Sequence, residues 1–88
     1  MNFKVLLSSS VTKRLDSLDR PTERRIRDRI REIANDPYDT RVSKPLAYPK
    51  GYRSSRVGDW RIIFVVDTKS SGVEILSVES RGQVYRTL

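Results

Sequence analysis

A glycine–aspartate step at Gly58-Asp59 joins two runs with the composition of β-strands, and it constrains the fold more than any other feature of the chain. The runs read YRSSRV before the step and WRIIFVVD after it, and both are rich in β-branched and aromatic residues. A two-residue hairpin turn needs a positive φ at its first central position, which glycine adopts at no steric cost. The step therefore predicts an antiparallel hairpin of residues 52–57 and 60–67.

The length of that turn also predicts which residues face each other. A two-residue turn pairs Val57 with Trp60 and Arg56 with Arg61. Because side chains alternate along a strand, one face of the second strand is apolar and predicts the core. That face consists of Trp60, Ile62, Phe64 and Val66, and we assign Trp60 and Phe64 to the core rather than to base stacking.

The remaining elements follow from local patterns. Residues 2–7 predict a first strand that ends at a serine cap, and residues 73–81 predict a last strand after the loop TKSSG. Apolar residues at helical spacing predict two helices, the second with Pro21 in its first turn and Asp36-Pro37 at its end; the apolar positions are Val11, Leu15, Leu18, Ile26, Ile30 and Ile33. Residues 37–51 hold three of the four prolines and predict a loop.

These elements predict an α+β fold. The order is β-α-α-β-β-β, with an antiparallel C-terminal meander and a two-helix hairpin packed on one face of the sheet. The chain has 88 residues, so we expect a single domain over residues 1–88. The N-terminal MNFKVLL is too short for a signal-peptide core or a membrane span, which predicts a cytoplasmic protein without a membrane partner.

Composition narrows the chemistry. The chain has no cysteine and no histidine, which excludes disulfides, thiol nucleophiles, Cys/His zinc sites and histidine acid–base catalysis. The net charge is +7, and 13 of the 18 basic residues are arginine, whose planar fork matches phosphate oxygens two at a time. Residues 1–40 carry 9 basic and 7 acidic side chains, whereas residues 41–88 carry 9 and 4. We therefore expect a polyanion-binding surface in the C-terminal half.

The arginines of the second helix allow two interpretations. They form either a nucleic-acid face or an ordinary solvated helix laced with ion pairs, and the interleaved acids favour the second. An acidic partner is compatible with both. The arginines are Arg24, Arg25, Arg27, Arg29 and Arg31, and the acids are Glu23, Asp28 and Glu32.

The facing Arg56 and Arg61 are unusual, because like charges directly opposite on a sheet destabilise it by about 0.2–1 kcal/mol. Two arginines at an exposed hairpin end either splay into water, where salt screens them, or hold an anion. Further basic residues nearby in the sequence favour the anion; they are Arg53, Arg81 and Arg86, with Tyr85 among them.

The segments KPL, YRSSRVGDWRIIFVVD and VEILSVESRGQVY resemble the RelE/ParE toxin superfamily. The resemblance covers nearly the whole chain and implies the RelE-like microbial RNase fold. It further implies a ribosome-dependent mRNA interferase, which cleaves mRNA in the A site through attack of the 2′-oxygen, without a metal or other cofactor. It implies catalytic roles for Arg56, Arg61, Arg81 and Tyr85, and RNA contacts for Lys44, Lys50, Arg53 and Arg86.

Chemistry limits these implied roles. Arginine has a pKa above about 12 and cannot act as a base at neutral pH. Arg61 and Arg81 therefore fit the role of clamps that bind the scissile phosphate. Arg56 fits the role of holding a neighbouring phosphate or of lowering the pKa of the 2′-hydroxyl. Tyr85 fits base stacking or proton transfer, or else packs the C-terminal tail. Alternatively, Arg81 pairs with an acid such as Glu79, and Lys44 only shapes its loop.

The resemblance also implies partners: a RelB-like antitoxin, the ribosome with mRNA, and operator DNA only as part of the antitoxin complex. Two other functions stay open. A ParE-like toxin shares the fold but inhibits DNA gyrase and is not a nuclease, and Ser54, Glu79 and the missing histidine favour it. A basic nucleic-acid-binding module without catalysis would bind with an affinity that falls steeply with salt.

Overall fold

A computed structural model describes residues 2–80 as two helices and a five-stranded mixed sheet, which confirms the predicted α+β class. The sheet order is β1-β5-β4-β3-β2; β1 runs parallel to β5 and the other neighbours are antiparallel. The elements are β1 (Lys4–Leu7), α1 (Ser9–Asp16), α2 (Arg20–Asn35), β2 (Lys44–Pro45), β3 (Tyr52–Val57), β4 (Trp60–Asp67) and β5 (Gly72–Ser80).

Both helices begin at side-chain caps. The Ser8 hydroxyl accepts a hydrogen bond from the Val11 amide at 3.2 Å, and the Asp19 carboxylate accepts one from the Thr22 amide, also at 3.2 Å. These bonds satisfy amides that have no partner within the first helical turn. Asp36 ends α2 directly before Pro37, as predicted.

The core lies between the helices and one face of the sheet. The predicted helical stripes and the predicted face of β4 meet there, and Phe64 is completely buried while Trp60 packs at its margin. The Arg14 guanidinium lies over the Trp60 ring, 5.2 Å from its centroid. The buried core residues include Val11, Leu15, Ile26, Ile30, Ile33, Val57, Ile62, Phe64, Val73, Ile75 and Val78. The opposite side of the sheet is called the outer face below.

One feature of the sheet differs from the prediction. The loop predicted for residues 37–51 contains the short strand β2, which pairs with β3 through Lys44↔Ser54 and Pro45↔Arg53. A proline is tolerated there because β2 is an edge strand and needs no outward N–H donor. The sequence did not assign a neighbour to the N-terminal strand, which lies beside β5 through a long-range pairing that local patterns do not specify.

A β-bulge interrupts the pairing of β4 with β5. Ile63 pairs with Ser77 but Phe64 pairs with Ile75, so Leu76 is an extra residue on β5. The bulge reverses the alternation of side chains beyond it. Consequently Glu74 and Glu79, five residues apart, both lie on the outer face.

One arginine ties α2 to the hairpin. Arg29 Nη1 donates to the Ser55 hydroxyl at 3.0 Å and to the Arg56 carbonyl at 2.7 Å. The Ser55 hydroxyl in turn donates to the Val42 carbonyl at 2.6 Å. This partly buried network connects α2, the segment before β2 and the strand that carries Arg56. Neither helix in residues 2–80 has the length and apolarity needed to cross a membrane.

The hairpin turn gives the first testable prediction. Gly58 has a φ of 58°, and a Cβ there would lie 2.9 Å from Arg25 Nη2, the mobile end of a side chain. A Gly58→Ala substitution should lower the free energy of unfolding by about 1–2 kcal/mol, because an L-residue strains at this φ. A thermal melt should show a fall of roughly 4–8 °C for each kcal/mol. Gly58→Asn is the control and should lose less, since asparagine tolerates this conformation; equal losses would contradict the interpretation.

The cap of α2 predicts a pH dependence. The hydrogen bond from the Thr22 hydroxyl, with that from its amide, lowers the pKa of Asp19 below its ordinary 3.8. A carboxyl whose pKa is lower in the folded state stabilises the fold fully above pH 3.8 and loses that contribution as the pH falls through the lowered value. In acid, the free energy of unfolding measured with urea should therefore fall less steeply with pH for Asp19→Asn than for the parent chain. Asparagine still caps the helix, so the two proteins differ only in the titrating carboxyl. An acid slope that is as steep for Asp19→Asn as for the parent chain would contradict this interpretation.

Candidate functional site

The predicted pair of arginines lies in a row of three charged residues on the outer face. Arg56 on β3 is the register partner of Arg61 on β4, which confirms the predicted pairing. Arg61 is in turn the partner of Glu79 on β5. The row therefore reads cation, cation, anion across three adjacent strands.

Glu79 neutralises part of the charge of this row. Its Oε1 lies 3.2 Å from Arg61 Nη2, and its Oε2 accepts a hydrogen bond from the Ser77 hydroxyl at 3.1 Å. The Arg61 and Glu79 side chains are 40% and 37% exposed, so water screens but does not remove their attraction. The ion pair offsets the repulsion that Arg61 meets from Arg56.

Arg61 keeps unused hydrogen-bonding capacity. Its Nε is buried and has no hydrogen-bond partner in the part of the chain that the structure describes. Nε and Nη2 form the edge of the guanidinium that binds a carboxylate or phosphate through two parallel bonds. Glu79 engages only one of these two nitrogens.

Arg56 is held by its backbone and presents its side chain to solvent. Its carbonyl accepts the hydrogen bond from Arg29 at 2.7 Å, whereas no ion pair within residues 2–80 involves its guanidinium. Counting the partners among residues 2–80, the site therefore holds one exposed arginine without an ion pair beside one that is paired through a single nitrogen.

Lys44 extends this basic surface. Lys44 is the register partner of Ser54, which precedes Arg56 by two residues on the same face. Ser54 is buried and Lys44 is exposed, so the neighbouring strand supplies a cation beside a small residue. Lys50 is exposed in the connection between β2 and β3, and its predicted RNA contact stays a prediction.

Arg53 lies on the other side of the sheet. Its Nε donates to the Pro37 carbonyl and to the Ser43 hydroxyl, both at 3.1 Å, and its guanidinium lies 5.3 Å from the Tyr38 ring centroid. Its partner on β4 is Phe64, a core residue. These contacts fasten the segment after α2 to β3 and separate Arg53 from the outer row; its predicted RNA contact is untested.

Three predicted site residues, Arg81, Tyr85 and Arg86, lie outside the described residues. The described part of β5 ends at Ser80, whose partner is Trp60, directly beside the Arg61↔Glu79 pair. Sequence analysis missed the role of Glu79 as the partner of Arg61. Strict alternation along β5 places Glu79 on the core side, and no local signal marks the bulge.

A second basic surface runs along the length of α2. A shallow groove of about 210 Å³ is lined by Arg20, Glu23, Arg24, Arg27, Asp28 and Arg31. Ion pairs run along it, from Arg27 to Glu23 at 2.9 Å and from Arg31 to Asp28, as the interleaved acids predicted. Within residues 2–80, no group of three or more acidic, histidine or cysteine side chains is arranged to hold a metal ion.

Solved structures share this architecture. The chain resembles the RelBE2 toxin–antitoxin complex of Mycobacterium tuberculosis, with 24% identity, a TM-score of 0.79, and coverage of 92% of this chain and 100% of that one. It also resembles the archaeal RelE–RelB complex of Pyrococcus horikoshii OT3, with 24% identity, a TM-score of 0.77, and coverage of 94% and 99%. The isolated RelE toxin of E. coli is 14% identical, with a TM-score of 0.77 and coverage of 98% and 99%. These matches establish the fold.

The family comparison places the chain among the toxins of the RelE/ParE superfamily. A family model described as the ParE toxin of type II toxin–antitoxin system, parDE, matches residues 5–85, and the chain belongs to that family. None of the curated proteins compared with the chain matches it in sequence.

The two faces of β3 predict different consequences for its two arginines. Arg53→Gln should lower the free energy of unfolding by about 1–2 kcal/mol, because the bonds to Pro37 and Ser43 are lost. Arg56→Gln should change it by less than about 0.5 kcal/mol, because the exposed side chain has no ion-pair partner among residues 2–80. Urea unfolding of the two variants measures the difference, and a larger loss for Arg56→Gln would overturn this division.

Proposed function

We propose that this type II toxin is a ribosome-dependent endoribonuclease that cleaves mRNA in the A site and so inhibits translation. The observation that carries the proposal is the outer row, in which Arg56 and Arg61 lie side by side next to the end of β5. Clustered guanidinium groups on a rigid sheet suit a reaction that builds negative charge on phosphorus. Lys44 adds a further cation on the same face.

The proposed chemistry needs three events. The 2′-hydroxyl loses a proton, its oxygen attacks the adjacent phosphorus, and the 5′-oxygen leaves with a proton. Arg61 binds the phosphate and stabilises the charge that develops on it, and Arg56 holds a neighbouring phosphate. The proposal assigns a second clamp to Arg81, and base stacking or proton transfer to Tyr85. No step requires a metal or another cofactor.

The proposed partners follow from the charge and from the similar structures. The structure from M. tuberculosis is a toxin–antitoxin complex, and that from P. horikoshii is a RelE–RelB complex. By analogy we propose a RelB-like antitoxin for this chain, whose net charge of +7 suits an acidic partner. We further propose a cytoplasmic site of action on ribosomes and mRNA, with operator DNA bound only by the toxin–antitoxin complex.

Inhibition of DNA gyrase is the second candidate function. Two observations favour it: the family model that matches is that of ParE toxins, and Glu79 occupies one nitrogen of the main phosphate clamp. A toxin that acts by binding a protein has no need of a free phosphate clamp. The two candidates therefore differ in whether Arg61 contacts RNA.

Primer extension on a defined mRNA in translating ribosomes tests the first candidate. The parent toxin should produce new 5′ ends within A-site codons, and only when ribosomes are present. Arg61→Ala and Arg81→Ala should each reduce cleavage by about 10²–10³-fold, the usual effect of removing one donor that stabilises transition-state charge.

Arg41→Ala is the matched control. Arg41 is exposed, lies in the segment after α2 and pairs with Asp39 at 2.9 Å, so its loss removes the same charge away from the outer row. Cleavage should persist in this variant. Intact mRNA with folded parent toxin, together with inhibited supercoiling by gyrase, would replace the nuclease with the second candidate.

A further inference from the structure

The charged row holds an acidic residue where the proposed reaction needs positive charge. Glu79 contacts Arg61 at 3.2 Å on the face that also carries Arg56 and Lys44. A carboxylate beside a phosphate repels it, so this residue weakens binding unless it moves. Its presence in the row calls for a role.

We propose that Glu79 is an internal counter-ion that an RNA phosphate must displace from Arg61, and that it thereby lowers the affinity of the site for RNA. This inference rests on the proposed function, because the displacing ligand is the phosphate backbone of RNA. In the free toxin the pair is closed; in the RNA complex Arg61 binds phosphate and Glu79 turns to solvent.

The contact between Glu79 and Arg61 is one that a phosphate can replace. Glu79 forms one contact with Arg61, to Nη2, while Nε on the same edge has no partner within residues 2–80. A phosphate offers two oxygens to that edge and forms two parallel hydrogen bonds. The ligand therefore gains a bond that the carboxylate does not form.

Ser77 holds the carboxylate in its competing position. The Ser77 hydroxyl donates to Glu79 Oε2 at 3.1 Å, and both residues lie beyond the bulge on the outer face. The Glu79 side chain is 37% exposed, so its carboxylate already borders on water. Displacement then requires a rotamer change and the loss of two hydrogen bonds, those from Ser77 and from Arg61.

The displaced ion pair sets the size of this effect. Exposed ion pairs of this kind shift an equilibrium by about 1.4-fold to about fivefold, and any anion that binds Arg61 bears the same factor. Glu79 therefore weakens RNA binding by that factor, while Arg56 and Lys44 on the same face add affinity that the factor does not change.

Two charge-matched substitutions test the inference. Glu79→Gln keeps the size and removes the counter-ion, whereas Glu74→Gln removes the same charge from the same strand and face, opposite Val65. The probe is a 12-nucleotide single-stranded RNA with 2′-fluoro groups, which cannot be cleaved, and its Kd is measured by fluorescence anisotropy at several salt concentrations.

We expect Glu79→Gln to bind RNA about 1.4- to fivefold more tightly than the parent. The slope of log Kd against log salt should steepen, because salt weakens the ion pair that RNA must break in the parent, and this compensation is lost without Glu79. Glu74→Gln should leave the slope unchanged. Ser77→Ala, which keeps the charge but releases the carboxylate, should give a smaller gain than Glu79→Gln.

The Arg61→Gln background identifies the cause of any gain. There, Glu79→Gln should have no more effect than Glu74→Gln, since no guanidinium remains to be released. Equal gains for Glu79→Gln and Glu74→Gln in the parent background would overturn the inference, as would a gain that persists without Arg61.

The same measurements separate this inference from the proposed function. If the affinity for RNA depends on Arg61 but not on Glu79, only the counter-ion role of Glu79 is wrong. The proposed ribosomal cleavage then still stands. If the affinity for RNA is independent of both residues, Arg61 does not bind phosphate. Both the nuclease activity and the counter-ion role of Glu79 are then wrong, because both depend on that contact.

Discussion

The register of the β3–β4 hairpin is the constraint on which the rest of the structure depends. A positive φ at Gly58 closes the turn in two residues, and this closure alone sets Arg56 against Arg61 and Val57 against Trp60. A slip of one residue would turn Ile62 and Phe64 to the outer face and the arginines into the core. Arg29 secures the arrangement from α2 by binding the Arg56 carbonyl.

The arginines of this basic chain divide into those that stabilise the fold and those that face solvent. Arg29 and Arg53 use their guanidinium groups to connect segments on the helix side, and Arg14 covers the Trp60 ring. Arg56 and Arg61 face outward on the sheet, where the helices do not reach. A net charge of +7 therefore overstates what is available to a polyanion, because part of it is committed to packing.

Local patterns predicted most of the fold, and they failed where distant segments decide the outcome. The Gly58 turn, the helical stripes and the caps each depend on neighbours in sequence, so the hairpin register, the helices and the core positions of Trp60 and Phe64 are confirmed. The short strand β2 and the place of β1 beside β5 depend on pairing between remote residues. The contact of Glu79 with Arg61 could not be predicted, because it requires the bulge at Leu76.

That bulge gives the two halves of β5 separate tasks. Val73 and Ile75, which precede Leu76, are completely buried against the helices. Ser77 and Glu79, which follow it, set the charge of the outer face through Arg61. Substitutions at 77 and 79 thus retune the electrostatics of the toxin at little cost to its hydrophobic packing, which gives protein engineers an adjustable pair of positions within an otherwise fixed strand.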